Sequence, residues 1–520
     1  MYLGVKIIHY LSQLMPLWLF LSGVVSGTQF SLNNYPLILI AGFAFYYYSL
    51  MIAKDSLKQS LIYSLMFGYG FFSYSHSWIS HPLTTFGNMY ATLQPIIFVG
   101  IPFIGALFFL VIGVCNYIFK RGGGYRVVAL SGVTVLGEYL RCEYAPAVPL
   151  GQVGSMWITG PYIAQGAALF GMYGLSFVTV ALSYSVGNIR QSKLPLIMSS
   201  CVCIALILFG AWRISMTTLV LSDHVIRVVP TSFEQVDKFK SMEMRVEHLK
   251  QIVAGSAGAS ERVPAMILWP ETAIEFGLLQ HSLGYDFTYP EIKAYLQHML
   301  PKESMLLAGI VLRSAKNEAY NVLFGLTKKQ DITYIYKKRF LAQFGEYMPS
   351  FLQNIAKAFG INAVDSFSRG AEGQDQLILA NGLKINPIIC YEGAFTGRAI
   401  LPYQTTDLIS VSTNDAWFGY NGKEQQFMSH AFRAIEEGVS VIRCANGGFS
   451  GYVSPLGTHS VSLSNKTMDL EFHKPLPETP YRWMINRCSY WMEILFGGLL
   501  SWMGISEFFF RRRRHVQPHS

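Results

Sequence analysis

The sequence predicts a chain of two characters: a polytopic α-helical membrane domain of about eight spans, and an α/β domain inserted ahead of the last span. Three observations point there. Apolar residues make up 51% of the 520 and charged residues only 14%, against roughly 25% charged residues in a soluble chain. That apolar content is uneven, since 1–212 carries long uncharged stretches whereas 215–485 reads as an ordinary soluble domain. Within the soluble part, short apolar runs alternate with helical stretches, the pattern of a layered α/β domain. The expected domains are 1–213 (about seven membrane helices), 214–486 (the α/β domain) and 487–520 (a final span and basic tail).

Seven candidate spans precede the soluble part, at about 8–27, 35–53, 59–80, 92–119, 126–142, 163–187 and 194–213, and an eighth covers about 490–510; each approaches the roughly 20 apolar residues that a bilayer core requires. The fifth is the weakest, because Glu138 and Arg141 lie near its end. Lys6 before an apolar run has the outline of a cleavable leader, but removing it would leave the other spans unexplained, so it is read as the first span. Basic residues set orientation. Lys54 and Lys58 lie between spans two and three, Lys120, Arg121 and Arg126 between four and five, Arg190 and Lys193 between six and seven, and the arginine run 511–514 follows span eight. The alternate loops 28–34 and 81–91 contain no Lys or Arg. Both termini are therefore expected in the cytoplasm and the α/β domain outside it.

Composition also excludes classes. A net charge of +9 would hint at nucleic-acid binding in a soluble chain, but here much of it flanks membrane spans, so no nucleic-acid partner is expected. Seven cysteines with no CxxC pair suggest neither a disulfide framework nor a zinc site. Cys115, Cys201 and Cys203 lie in apolar segments and read as packing residues. His76 and His81 are near one another without a ligand spacing, and "RGGGYR" lacks the strand–helix setting of a phosphate loop. No metal or cofactor is expected.

In the soluble part, "HVIRVVP", "AMILWPE", "SMLLAGIVL", "YNVLFGLT", "DITYIYKK", "LKINPIIC", "DLISVSTN" and "SVIRCAN" read as strands. Several are continuously apolar, as strands covered on both faces are. Helices are expected near 237–254, 289–299 and 425–438. Glu271, Cys390 and Asn414 follow strand ends, where α/β folds gather their chemistry.

Three stretches carry that chemistry: "ILWPETA", "YKKRFLAQFGEY" and "IICYEGAF". Each sets one reactive side chain, Glu271, Lys338 or Cys390, after an apolar or aromatic run. A carboxylate, an ammonium and a thiol are the parts needed to activate a sulfur nucleophile, remove its proton and hold an oxyanion. Taken alone, each has a plainer reading. Cys390 after 385–389 could be a core cysteine, Lys338 in "YKKRF" surface charge, and Glu271 the N-terminal carboxylate of a helix over 272–276. Glu392, two residues past Cys390, and the equivalent strand-end contexts of all three favour the chemical reading.

The trio, in this order, resembles the nitrilase, or carbon–nitrogen hydrolase, superfamily, whose members set Glu, Lys and Cys in an αββα sandwich. Spans on both sides of such a domain resemble its membrane-embedded branch, the apolipoprotein N-acyltransferases. "FGYGFFSYSHSWI" (67–79) and "LGEYLR" (136–141) look like that branch's membrane landmarks, and "SFSRG" (366–370), "STNDAWFG" (412–419) and "RCANGGFSGYVSPLG" (443–457) look like its soluble ones. The resemblance implies a nitrilase-like catalytic domain with Glu271 as base, Lys338 as oxyanion stabiliser and Cys390 as nucleophile. It implies support from Glu346, Tyr391 and Glu392, and scaffold roles for Arg433, Glu436 and Asn446. It further implies a bacterial inner-membrane enzyme, expected as a monomer, with a phospholipid acyl donor and a diacylglyceryl-apolipoprotein acceptor. A Cys thioester would link two acyl-transfer steps, under an apolar lid over 347–367.

The chain departs from that pattern in places. Pro230, Ser232 and Phe239 replace Gln, Asn and Trp, "AVPLGQVGSMW" replaces a Gly-Phe-Pro-Trp motif, and Gln426 stands where His is common. These changes leave room for an amidase using water, for an acyltransferase with another amine acceptor, or for a silent scaffold.

Overall fold

The structure, a computed structural model, describes residues 13–82, 94–120, 124–144, 148–235, 237, 241–258, 261–282, 284–343, 345–347 and 366–488, with 491, 492, 495 and 498. The chain divides into two compact units, Met1–Met216 with Pro480–Ser520, and Thr217–Thr479.

The first unit is helical: α1 (Met15–Gly27), α2 (Pro36–Ala53), α3 (Leu57–Ser75), α4 (Gln94–Ile118), α5 (Tyr125–Glu143), α6 (Ala167–Gly187) and α7 (Leu194–Met216). Among the described residues four helices, α2, α4, α6 and α7, are long and apolar enough to cross a membrane. The α1 helix is apolar but shorter. The third and fifth expected spans are the helices α3 and α5, which are less apolar, and the eighth lies almost wholly outside the described residues. The count of eight is thus not reached among the described residues.

Small residues let these helices touch backbone to backbone. A Cβ on Gly70 would sit 2.0 Å from the carbonyl oxygen of Phe20, so α1 and α3 meet where only glycine fits. Beside that contact Tyr46 stacks on Phe67 with ring centroids 4.4 Å apart, and Phe43 meets Phe67 edge-on. The charges that weakened the fifth span are satisfied inside the unit. Glu138 accepts from the Ser176 hydroxyl at 2.5 Å and the Val153 N–H at 2.7 Å. Arg141 donates to His76 at 3.0 Å and to the carbonyl of Leu150 at 3.1 Å. The helical path of α6 breaks at Phe170 and Gly171, where Gly171 takes φ +69° against the ring of Tyr481.

The second unit holds two sheets. The first has eight strands: β1 (Leu221–Val228), β2 (Met266–Leu268), β3 (Ile274–His281), β4 (Gly284–Phe287), β5 (Met305–Arg313), β6 (Ala319–Thr327), β7 (Tyr334–Lys337) and β14 (Met468–His473). The second runs in the order β13 (His459–Ser462), β12 (Ser450–Val453), β11 (Ser440–Asn446), β10 (Leu408–Asn414), β9 (Lys384–Ile389), β8 (Leu377–Ile378). Its central strands β9, β10 and β11 are parallel.

Alternation along the strands explains the layers. Ile226 and Val228 of β1 and Met266 and Leu268 of β2 share a core with Ile385, Ile389, Leu408 and Ile442 of the second sheet. The intervening Ile267 and the following Trp269 turn the other way, onto Leu249 and Ile252 of α8 (Met242–Ser256) and Leu296 of α9 (Pro290–Met299). Outside the second sheet, α10 (Tyr420–Glu437) places Gln426 and His430 on Arg443 of β11. The result is an αββα sandwich. All eight expected strands are present. No helix follows Glu271: β3 begins at Ile274, and Ile274, Phe276 and Leu278 point alternately into the core.

Candidate active site

The candidate residues gather where strands end. Glu271 comes three residues past β2, Lys338 directly after β7 and Cys390 directly after β9. All three are buried, at 5%, 2% and 6% exposure.

Glu271 and Lys338 are bonded to one another. The Lys338 ammonium lies 2.9 Å from Glu271 Oε1 and 2.9 Å from Glu346. Asn321 of β6 donates through one amide to both carboxylates, at 2.7 Å each. The second oxygen of Glu271 accepts from the Asn414 N–H at 2.9 Å, and that of Glu346 from the Ala342 N–H at 2.8 Å. Two carboxylates thus share one ammonium and one amide in a buried setting. Burial alone would lower the Lys338 ammonium, but Glu271, Glu346 and the Cys390 sulfur reverse that and hold it well above its usual value. It stays protonated, a fixed positive charge within the cluster.

Cys390 is held on a tight turn. Its φ of +51° lies in the left-handed region, which costs a residue with a side chain about 1–2 kcal/mol. Glu392 secures that turn and is buried at 1% exposure. Its carboxylate accepts from the Ile389 N–H at 2.8 Å, the Arg339 N–H at 2.6 Å and the Tyr336 hydroxyl at 3.0 Å. One side chain therefore ties the cysteine turn to the lysine loop. The segment is a 3₁₀ turn rather than the extended strand that the i+2 spacing assumed, so Glu392 points into the clamp. Burial raises its carboxyl while Arg339 opposes that. Tyr391 packs edge-on against Phe395, with ring centroids 5.4 Å apart, in the inter-sheet core.

The thiol is neutral at rest. Burial and the Glu271 charge push it up to about 12, with Lys338 pulling the other way. Its hydrogen-bond neighbours include the Thr413 hydroxyl and Gln426, whose Nε2 lies 3.1 Å from Sγ. Arg443 donates to Gln426 Oε1 at 3.1 Å, binds Asp415 at 2.7 Å and donates to His430 Nδ1 at 3.0 Å. With Nδ1 accepting, the other imidazole nitrogen carries the proton and donates to the Cys390 carbonyl at 3.0 Å. Sequence reasoning noted Gln426 only as a departure and passed over Asn321, His430 and Arg443. Each lies on a strand or helix far from the three motifs, and only the fold brings it in.

The scaffold residues have local partners. Arg433 pairs with Glu436 at 3.1 Å within α10. Asn446 holds both the N–H and the carbonyl of Phe233, at 2.8 and 2.9 Å, so the departing segment 230–235 docks on the ends of β10 and β11. Phe239 and the expected lid, all but its ends, lie outside the described residues. Among the described residues no group of three or more His, Cys, Asp or Glu side chains could hold a metal ion.

A buried carboxylate, ammonium and thiol at the strand ends of an αββα sandwich define a protein of the carbon–nitrogen hydrolase class. Family models match the chain as "Apolipoprotein N-acyltransferase N-terminal domain" over residues 22–185 and "Carbon-nitrogen hydrolase" over 241–472. The chain belongs to the membrane-embedded, apolipoprotein N-acyltransferase branch of the carbon–nitrogen hydrolase superfamily. Similar proteins named apolipoprotein N-acyltransferase occur in Allorhizobium ampelinum (28% identical, 84% of each chain covered) and Rickettsia prowazekii (28%, 84% of this chain and 87% of that one). Another, from Brucella suis, is 27% identical over 80% of each chain. Among solved structures, Nit3 of Saccharomyces cerevisiae aligns at 14% identity with a TM-score of 0.37, covering 52% of this chain and 96% of its own.

Proposed function

We propose that this chain transfers a fatty acyl group from a membrane phospholipid, through a thioester on Cys390, to the N-terminal α-amine of a diacylglyceryl-cysteine apolipoprotein. The observation that carries the reading is the bonded Glu271–Lys338 pair in the same buried cluster as the Cys390 thiol, within a chain whose relatives are named apolipoprotein N-acyltransferase.

In the first step Glu271 takes the thiol proton as sulfur bonds to the ester carbonyl carbon. The oxyanion that forms is neutralised by the Lys338 ammonium. The carbon–oxygen bond then breaks, and the lysophospholipid oxygen leaves with the proton held by Glu271. In the second step the free α-amine attacks the thioester, loses a proton to Glu271, and expels sulfur, which is reprotonated. Ester, thioester and amide follow one another, ending in the least reactive linkage. Ping-pong kinetics are expected. Glu346 and Asn321 fix the carboxylate and ammonium, and Glu392 fixes the sulfur. The lone-sided distribution of basic loops supports an inner-membrane protein with its α/β domain outside the cytoplasm, where both substrates are anchored.

Intact mass after incubation with phospholipid tests the reading. Wild type should gain one fatty-acyl increment that hydroxylamine removes, absent from Cys390→Ala. A diacylglyceryl-cysteine peptide should then take the acyl group on its amine. No increment, or release of free fatty acid with no acylated peptide, would overturn it.

A further inference from the structure

We infer that Gln426 is a catalytic hydrogen-bond donor to the Cys390 sulfur, held in its donating orientation by Arg443 and Asp415. This rests on Cys390 being the nucleophile.

The orientation of the amide is settled by its neighbours. Arg443 has only donors, and it lies 3.1 Å from Gln426 Oε1, so that oxygen accepts and the Nε2 hydrogens face the sulfur at 3.1 Å. The Thr413 hydroxyl also lies 3.5 Å from Oε1, but it donates to Asp415 Oδ1 at 2.8 Å, so Arg443 alone fixes the amide. Arg443 cannot swing away, because Asp415 binds its Nη2 with both oxygens, at 2.9 and 2.7 Å. Every member is buried, with Gln426, Asp415 and Arg443 at 0% exposure. A primary amide in such a place has one chemical property that an imidazole lacks: it cannot take the thiol proton. It donates equally to the attacking thiolate and to the thiolate expelled in the second step, and it leaves proton removal to Glu271.

The charges that face the sulfur are Glu271 from the β2 end, Lys338 from the β7 end and Asp415 beyond β10, with Arg443 of β11 behind the amide. His430 of α10 contacts the Cys390 carbonyl rather than its sulfur, and Glu392 holds the turn. Gln426 is thus a neutral donor, with the Thr413 hydroxyl also within reach of the sulfur, in a setting where two carboxylates oppose a negative sulfur and one ammonium favours it.

The test is the rate at which iodoacetamide alkylates Cys390 in the full-length protein, read by peptide mass between pH 7 and 10. Gln426→Glu keeps the shape and the Arg443 contact but removes the donor, and Gln426→Met removes it without adding charge. Loss of a hydrogen bond to a charged sulfur should slow alkylation about ten- to a hundredfold at each pH, with Gln426→Glu the slower of the two. Melting temperatures identify a variant that has not folded, and the other then carries the test. Rates within twofold of wild type in a folded variant would overturn the inference. Alkylation needs no acyl donor, so its outcome is separate from the acyl-transfer reading, which fails instead by absence of the acyl-enzyme.

Discussion

At the scale of single residues, the site depends on side chains that serve two partners at once. Asn321 is the clearest, since one amide group bonds both Glu271 and Glu346. Asn321→Ala leaves two buried carboxylates sharing one ammonium; it should cost about 1–3 kcal/mol of stability, and acyl-enzyme formation by the folded variant should fall about ten- to a hundredfold. Single-turnover measurement with phospholipid checks this, and a rate near wild type would make Asn321 a packing residue. Gly393 is a second such position. A Cβ there would sit 2.4 Å from the His430 ring, which itself holds the Cys390 carbonyl. Gly393→Ala should therefore destabilise the protein by about 1–3 kcal/mol and displace the cysteine turn, seen as a lower melting temperature together with a lower alkylation rate. Asn321 was not legible in the sequence, and Gly393 stood out only as part of "IICYEGAF", with no sign of its contact to His430. Asn321 lies inside the apolar run of β6, and nothing local separates it from any strand asparagine that meets a neighbour.

At the scale of elements, the parallel strands were the most readable part, because β9, β10 and β11 are buried along almost their whole length and are rich in β-branched residues. The strands that escaped have other patterns. The β3 strand carries Glu275 and Gly277 among its apolar residues, and β12, β13 and β14 are short or half-exposed. The turn at Cys390 was legible as a strand end but not as a 3₁₀ turn, since its geometry is imposed by Glu392 from within and by His430 from another element. That division can be measured. Glu392→Ala would leave the Ile389 and Arg339 N–H groups buried without an acceptor, at about 1–3 kcal/mol each. A loss of several kcal/mol in chemical denaturation is expected, whereas a surface carboxylate would cost almost nothing. In the helical unit, Gly70→Leu should block the approach of α3 to α1 and abolish the folded form in detergent, because the nearest atoms are backbone and cannot move aside.

At the scale of the whole molecule, the division into a helical and an α/β unit followed from composition alone, whereas the network behind the sulfur required the fold. That network also gives a pH dependence. Burial, then Arg443, draws His430 well below its usual value, so the folded protein keeps it neutral while the unfolded chain protonates it near pH 6.5. Its contribution to stability is present above about pH 6.5 and is lost as pH falls below that value. Lys338, held above its usual value, contributes below about pH 10.4 and loses that contribution as pH rises through its folded value. A melting-temperature plateau between these limits is expected, with an acid limb that flattens in His430→Gln. The raised thiol has a different consequence, for chemical durability. Peroxide and disulfides react with thiolate, and a sulfur pushed up to about 12 offers almost none at neutral pH. In the proposed placement outside the cytoplasm, where oxidants are met and cytoplasmic reductants are not, such a cysteine would resist oxidation between turnovers. In the proposed mechanism a bound carbonyl raises its reactivity by letting bond formation and proton removal proceed together.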